Sequence, residues 1–417
     1  MGRWSRFRRN DAAVALTIAT MISGSATART SAAFLIAVAL STWSAIGFDL
    51  ASEVAKANAA GGGEVVVPPG VHILPTGLKL HDVKGITIVG FDRDQCVLQL
   101  PPAVHGKVAL PAAGGEQVLV LDAAKGISPG MTLRIEADGD MDPFTGKPKP
   151  YVLAKVSKTT GTRVSLEGIL KHPIPAGAIV RDENAPNLIE ITGKSENIHL
   201  RKLSLDGGMA PDGPELRGHA QLCGVMVQGK YSYENGPTEQ GPKGVKVTDC
   251  IIRNCYGRGI AFYSATDCVV ETCTIMDTQD EAIDLDHFVR GTIIKDNHIA
   301  RCRVGVEVND ASACAIAFNE IRNCGTGLHV WRWCKQPGLN EKNQMIGNSL
   351  TKIAGHGIQL GTGSTDNLVA ENDIDGCGKS GITIYGRNQK VVKNRITQTN
   401  FKAIAIGEAE ETHTIEP

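Results

Sequence analysis

The sequence predicts an all-β fold, a parallel β-helix wound from short repeating coils, and three observations carry that prediction. First, one phrase recurs about seven times between Val245 and Ile406: CIIRNCYGRGIAF, CTIMDTQDEAIDL, NHIARCRVGVEV, NEIRNCGTGLHV, NSLTKIAGHGIQL, NDIDGCGKSGITI and NRITQTNFKAIAI. Counted from Ile260 through Ile283, Val306, Leu328, Ile358, Ile382 and Ile404, the steps are 23, 23, 22, 30, 24 and 22 residues. A fixed period in the twenties is the mark of a solenoid. Second, apolar residues alternate with period two and Gly or Asn falls between the runs, which suits strands and not helical repeats. Third, the 417 residues include 47 Gly and only 5% aromatics, a balance that fits thin repeating strands better than a globular α/β domain.

The repeat sets which side chains point inward. Cys250, Cys273, Asn297, Asn319, Asn348, Asn372 and Asn394 share one register, and five residues on come Cys255, Thr278, Cys302, Cys324, Ile353, Cys377 and Thr399. Stacked coils put equivalent positions roughly 4.8 Å apart, so both sets become ladders along the axis. Asn side chains there can bond the next coil's backbone and one another, satisfying groups that burial would leave unpaired. Of eleven cysteines, six fall on these ladders, so stacked thiols in a core account for them better than a disulfide framework. No CxxC pair occurs, which argues against structural zinc.

The net charge of −1 gives no bulk field favouring nucleic acid or an anionic membrane. Residues 1–47 carry Arg3, Arg6, Arg8 and Arg9 and then two apolar runs, Ala12–Ile22 and Ala32–Leu40. Each run is too short for a membrane span, so no stable span is expected in the mature chain. The second follows its own basic segment and precedes small residues at Ala45 and Gly47. The expectation is an export signal, read from Met21 and either cleaved near Phe48 or kept as an uncleaved anchor, with a periplasmic, cell-surface or extracellular destination.

In order, residues 48–116 give a capping helix, Phe48–Ala60, and the first coils in EVVVPPGVHIL, LKLHDVKGITIVG and CVLQL. A cap is needed because an open coil edge invites pairing with other chains. Residues 117–181 break the rhythm with Gly-turned antiparallel runs, read as an inserted β subdomain. Coils resume over 182–410, interrupted by two Gly/Pro-rich loops, Asp206–Leu222 and Gly229–Gly244, of the kind that carry specificity on rigid scaffolds. Residues 411–417 are a tail, and the nearby Glu408, Glu410 and Glu411 are expected to protect the last edge.

A helix followed by GGGEVVVPPGVHI and then GITIVG resembles the opening of the pectin-lyase-like β-helix enzymes, a superfamily of polysaccharide lyases, polygalacturonases, C5-epimerases and non-catalytic adhesins. The resemblance runs from Phe48 onward and, with the usual hand of parallel crossovers, implies a right-handed helix. It implies an activity on polysaccharide only in that broad sense.

Side chains alternate faces along a strand. If Ile283 and Leu285 point in, an outward stripe follows: Met226/Gln228, Ala261/Tyr263, Asp284/Asp286, Glu307/Asn309, His329/Trp331, Gln359/Gly361 and Thr383/Tyr385. Arg258 and His356 sit in turns just before these strands, and His287 and Arg332 just after. Asp284 and Asp286 should lie roughly 6.5–7 Å apart, and Asp284 and Glu307 roughly 5 Å across coils. Carboxylates that close raise one another's pKa towards general-acid values, which is what cleavage of a glycosidic bond requires.

The leading expectation is therefore an exported enzyme cleaving an acidic polysaccharide, with Asp284 and Asp286 as acid and base and Glu307, His329 and His356 as further catalytic groups. Arg258, Tyr263, His287, Asn309, Trp331, Arg332, Gln359 and Tyr385 would bind substrate, by sugar stacking at Trp331 and by bidentate pairing at the arginines. A second expectation uses Asp284, Asp286 and Glu307 to hold Ca²⁺ for β-elimination or C5-epimerisation of a uronate. DLDH at Asp284–His287 is similar to the Asp-x-His motif of mannuronan C5-epimerases, although no Pro follows Asp284 and the His is displaced by one. Asp280–Glu281 with Gly355–His356–Gly357 is similar to the acid pair and GHG of polygalacturonases, but three coils apart instead of one. A third expectation, from another class, is a non-catalytic carbohydrate-binding or cell-surface solenoid.

Overall fold

A computed structural model describes residues 48–143, 146–211, 213–216, 221–407 and 413–416. The export segment expected within residues 1–47 and the acidic residues Glu408, Glu410 and Glu411 lie outside the described residues. Two parallel sheets run along the axis, one of 11 strands and one of 18. The larger is continuous because Thr274–Asp286 and His298–Asn309 each pass through a coil bend, pairing on both sides of a bulge between Thr278 and Glu281. One core cluster extends from Leu50 to Val391. Among the described residues, no helix is long and apolar enough to cross a membrane.

Both ladders form, and the backbone shows how. The residue before each member of the Asn/Cys ladder is left-handed: Asp249, Thr272, Asp296, Phe318, Gly347, Glu371 and Lys393 have φ between 50° and 64°. The residues before the second ladder are left-handed too, Asn254, Asp277, Arg301, Asn323, Lys352, Gly376 and Gln398 having φ between 50° and 76°. Left-handed φ is costly for most of these residue types, so it persists because each corner must turn the next side chain inward. Asn297, Asn319, Asn348 and Asn372 each donate from Nδ2 to the next ladder residue's Oδ1, at 2.9–3.0 Å. A second polar ladder, unread in the sequence, links Asn343, Asn367 and Gln389. Nine of the cysteines lie in the coil core, with Sγ of several against backbone carbonyls.

The first coil is capped by a helix, Leu50–Ala59, begun by Asp49 accepting from the Ser52 N–H at 3.2 Å. Its Leu50 and Val54 enter the core. The insertion is a closed six-stranded antiparallel barrel with its own core. It takes in His105–Leu110, which pairs with Ile179–Asp182 and Val118–Leu121. The sequence division at residue 116 leaves that strand with the coils because its alternation alone does not tell an antiparallel partner from a parallel one. The tail also differs from expectation, since Thr414–Glu416 adds a last strand to the 11-stranded sheet by pairing with Lys390–Val392.

The Asn348 side chain makes four hydrogen bonds, to Asn319 N, Asn319 Nδ2, Ile316 O and Asn372 Oδ1. Asn348→Ala strands these buried partners and should cost about 2–3 kcal/mol, read as a lowered urea midpoint with an unchanged strand signal by circular dichroism.

Candidate functional site

The pairing aligns Met226, Ala261, Asp284, Glu307, His329, Gln359 and Thr383 in successive coils. Gln228, Tyr263 and Asp286 form the second row, and Asn309 lies beside Trp331. Ile283 and Leu285 are in the coil core, so Asp284 and Asp286 point away from it. The stripe is expected to face solvent, and over its first half it does not. Asp284 is 0% exposed, Asp286 5% and Glu307 7%.

Two inter-coil loops make the cover. Leu216 is fully buried and its N–H donates to Gln279 Oε1 at 2.6 Å, while Gln279 Nε2 donates to the Pro214 carbonyl at 2.8 Å. Tyr231, in a two-stranded hairpin with Gly236–Pro237, lies parallel to Tyr263 at 6.2 Å between ring centres. Tyr233 meets His287 edge-on at 5.0 Å. Sequence periodicity locates the stripe but carries no information about loops folding back over it.

Beneath the cover sits a charge cluster. Arg258 Nε is 2.7 Å from Asp284 Oδ2 and 2.9 Å from Glu281 Oε2. Arg303 donates from Nε to Asp280 Oδ1 at 2.6 Å and its Nη2 touches both Asp280 and Glu281. The Arg258–Asp284 contact is Coulombic, because neither Asp284 oxygen lies in a hydrogen-bonding direction and Arg258 Nη1 is also without a partner. Two guanidinium charges thus face four buried carboxyls, Asp280, Glu281, Asp284 and Asp286. Burying uncompensated charge is expensive, and two guanidiniums cannot balance four carboxylates, so burial keeps protons on part of the cluster. Burial lifts Glu281 to about 8 and raises Asp284 and Asp286. At Asp280 burial also acts upward, but Arg258 and Arg303 overcome it and hold that carboxyl low.

Several sequence expectations are corrected by this arrangement. Arg258 is locked among carboxylates and does not reach a substrate. The Arg332 guanidinium turns onto its own loop, donating to the carbonyls of Cys334 and Gln336. Tyr263 and His287 are buried in the aromatic packing under the cover. Asn309 is buried with its Oδ1 unpartnered, and Thr383, read as solvent-facing, is buried with its hydroxyl 2.7 Å from His356 Nδ1. The calcium grouping does not assemble. Among the described residues the one set of three metal-ligating side chains that converges is His287, Asp310 and Cys334, and at Asp284 a guanidinium already occupies the cation's place.

The stripe opens at its second half. His329 Nδ1 is 2.9 Å from Glu307 Oε2, with 23% of the imidazole side chain and 10% of the Glu307 side chain exposed. Trp331 lies nearly parallel to His329, at 7° and 6.2 Å, and Trp333 packs edge-on against it. His356 follows, its pKa pushed down by burial and by the neighbouring Lys379 and His329. Gln359 is half-buried and Tyr385 exposed further along. Sequence reasoning missed Arg303 and the two covering tyrosines. Arg303 had a signal: it stands one residue before Val304, which pairs with Glu281 after a bulge.

Residues 231–342 match a family profile described as the right-handed β-helix region. No curated protein sequence matches the chain. Among solved structures, the A-modules of the Azotobacter vinelandii mannuronan C-5 epimerases AlgE6 and AlgE4 are similar. They share 15% and 14% identity, each over 88% of this chain and 94% of the other, with TM-scores of 0.53 and 0.54. The tailspike of E. coli bacteriophage HK620, solved with a pentasaccharide, is similar at 11% identity over 86% of this chain and 55% of that one, with a TM-score of 0.52.

A carboxyl whose folded pKa exceeds its unfolded one keeps its proton in the fold while the unfolded chain has lost it. The Glu281 contribution therefore reduces stability as pH rises from about 4.5 to about 8. Glu281→Gln should remove it, so urea midpoints measured across that window should fall for the natural protein relative to the variant. Coil winding, sheet pairing and these comparisons agree on one architecture: the chain is a right-handed parallel β-helix protein.

Proposed function

We propose that the protein acts on an acidic polysaccharide lying along the open half of the stripe, by proton transfer at a uronate sugar. The observation that carries this reading is the Glu307–His329 hydrogen bond at the boundary between covered and open stripe. Glu307 fixes the ring through Nδ1 and leaves Nε2 to take a proton, the arrangement of a general base with its orienting carboxylate. Loss of the C5 proton from a uronate then leads to cleavage of the C4–O4 bond with protonation of the leaving oxygen, or to return of a proton on the opposite face. His356, kept neutral at neutral pH by the shift described above, is a second proton carrier. The exposed Lys379 supplies positive charge for a carboxylate substrate. Trp331 supplies an apolar wall.

The named activity of the epimerase modules and the pentasaccharide on the tailspike are consistent with a sugar polymer as ligand. The expected export fits such a substrate. Cleavage by an acid/base pair of carboxyls is the second reading, favoured by the pairing of Asp284 with Glu307 across adjacent coils and by the proton that burial keeps on Asp284. It requires the covering loops to part, since only Glu307 of that pair reaches the surface.

The test is purified protein on uronate polymers, following three signals: ultraviolet absorbance of an unsaturated product, new reducing ends, and inversion at C5 by NMR. Absorbance or inversion is expected, and His329→Gln should lower the rate by about 10²–10⁴. Reducing ends without absorbance would move the assignment to hydrolysis. Binding without any of the three would make the protein a non-catalytic solenoid. Asp284→Asn should change stability more than rate under the first reading and abolish turnover under the second.

A further inference from the structure

Three side chains outside the coil core meet where the loop after Thr326–Trp331 folds back over the stripe. His287 follows the strand Thr274–Asp286, Asp310 follows His298–Asn309, and Cys334 lies in the loop itself. All three are buried, and their donor atoms lie within 4.8 Å of one another. His287 Nδ1 is 2.9 Å from Asp310 Oδ2 and 4.0 Å from Cys334 Sγ.

We propose that His287 Nδ1, an Asp310 carboxylate oxygen and Cys334 Sγ form a three-ligand zinc site that pins the Cys334 loop to the wall of the stripe. A mixed nitrogen, oxygen and thiolate set suits zinc and excludes calcium, which takes oxygen ligands. Tetrahedral zinc with ligands at 2.0–2.3 Å sets neighbouring donors roughly 3.3–3.8 Å apart, so imidazole and carboxylate must open slightly from 2.9 Å and the Cys334 thiol must draw in from 4.0 Å. Asp286 Oδ1, 3.1 Å from the same imidazole nitrogen, borders the fourth position, which it or water can fill.

The support around the ligands is already rigid. Asp310 has φ 54° and accepts the N–H groups of Trp333 and Cys334 at 2.9–3.0 Å. The His287 N–H donates to Asp286 Oδ1 at 2.8 Å. Cys334 also stands apart from the nine cysteines of the coil core, packing instead beside Phe288 and Leu339. It arises in the longest coil step, the 30 residues from Leu328 to Ile358, where the chain has about eight residues beyond the shortest coils. The same loop reaches the other wall, because Gln336 Nε2 donates to the Tyr233 carbonyl at 3.0 Å. Zinc here would therefore hold together the segments covering Asp286. Binding needs the Nδ1 lone pair, so the imidazole proton moves to Nε2, and it needs the thiolate, so one proton leaves to solvent for each metal bound.

The experiment uses the full chain, stripped with chelator and titrated with zinc ion or cobalt(II) ion alone. One zinc per chain should be retained by elemental analysis, bound more tightly as pH rises. Cobalt should give a thiolate-to-metal charge-transfer band in the near ultraviolet. Cys334→Ser should abolish that band and weaken zinc by about 100-fold or more, whereas His298→Gln, at an exposed imidazole, should leave both unchanged. If the serine variant does not fold, the natural protein gives the same answer: zinc should slow labelling of Cys334, located by peptide mapping. Failure to retain stoichiometric zinc, a cobalt spectrum without the thiolate band, or a band that survives in a folded Cys334→Ser protein would each overturn the site. None of these readouts depends on polysaccharide turnover.

Discussion

Coil-to-coil register is the constraint from which the rest of the molecule follows. The backbone N–H and C=O groups of the strands pair with the coils above and below, so a one-residue slip would turn every apolar side chain outward and strand polar groups. Left-handed corner residues and the Asn ladder prevent that slip. Asn297, Asn319, Asn348, Asn372 and Asn394 bond in series, so each coil is located by the one before it. The pairing of Asp284 with Glu307 and of Glu307 with His329 is then fixed to within a residue, without any interaction between those side chains having to enforce it.

That rigidity permits an arrangement a looser scaffold would not keep. Asp280, Glu281, Asp284 and Asp286 repel one another, and burial adds to the cost of ionising them. Arg258 and Arg303 offset part of it, retained protons offset more, and the backbone ladder supplies the remaining stability from interactions made elsewhere. The stripe is graded along the axis: sealed at Asp284, nearly closed at Glu307, and partly open at His329 and His356, with Lys379 exposed beyond.

Much of this was legible in the sequence because a solenoid makes position additive. Seven copies of one phrase fix seven equivalent sets of neighbours, and the outward rows from Met226 to Thr383 emerged in the predicted order. What stayed illegible depends on parts of the chain that do not repeat. Tyr231 and Tyr233 come from an inter-coil loop with no copy elsewhere, so nothing in the period shows that they cover Tyr263 and His287. Arg332 looked available for a substrate because its own loop's carbonyls, which it caps, cannot be located from spacing. Strand His105–Leu110 was assigned to the coils because alternation alone does not distinguish a parallel partner from an antiparallel one.

The irregular coil step shows where new chemistry can enter such a fold. A residue inserted within a strand would shift every later side chain, whereas residues inserted at a corner leave register intact on both sides. The 30-residue step places its surplus at a corner, between Trp331 and Gln344, and Leu328 and Ile358 still pair directly. That surplus carries Trp333, Cys334 and Gln336, which reach Trp331, Asp310 and Tyr233 respectively. Length tolerated by the ladder thus becomes a wall across two further coils, and ligands separated by 23 and 24 residues in sequence meet because the register has already brought their strands side by side.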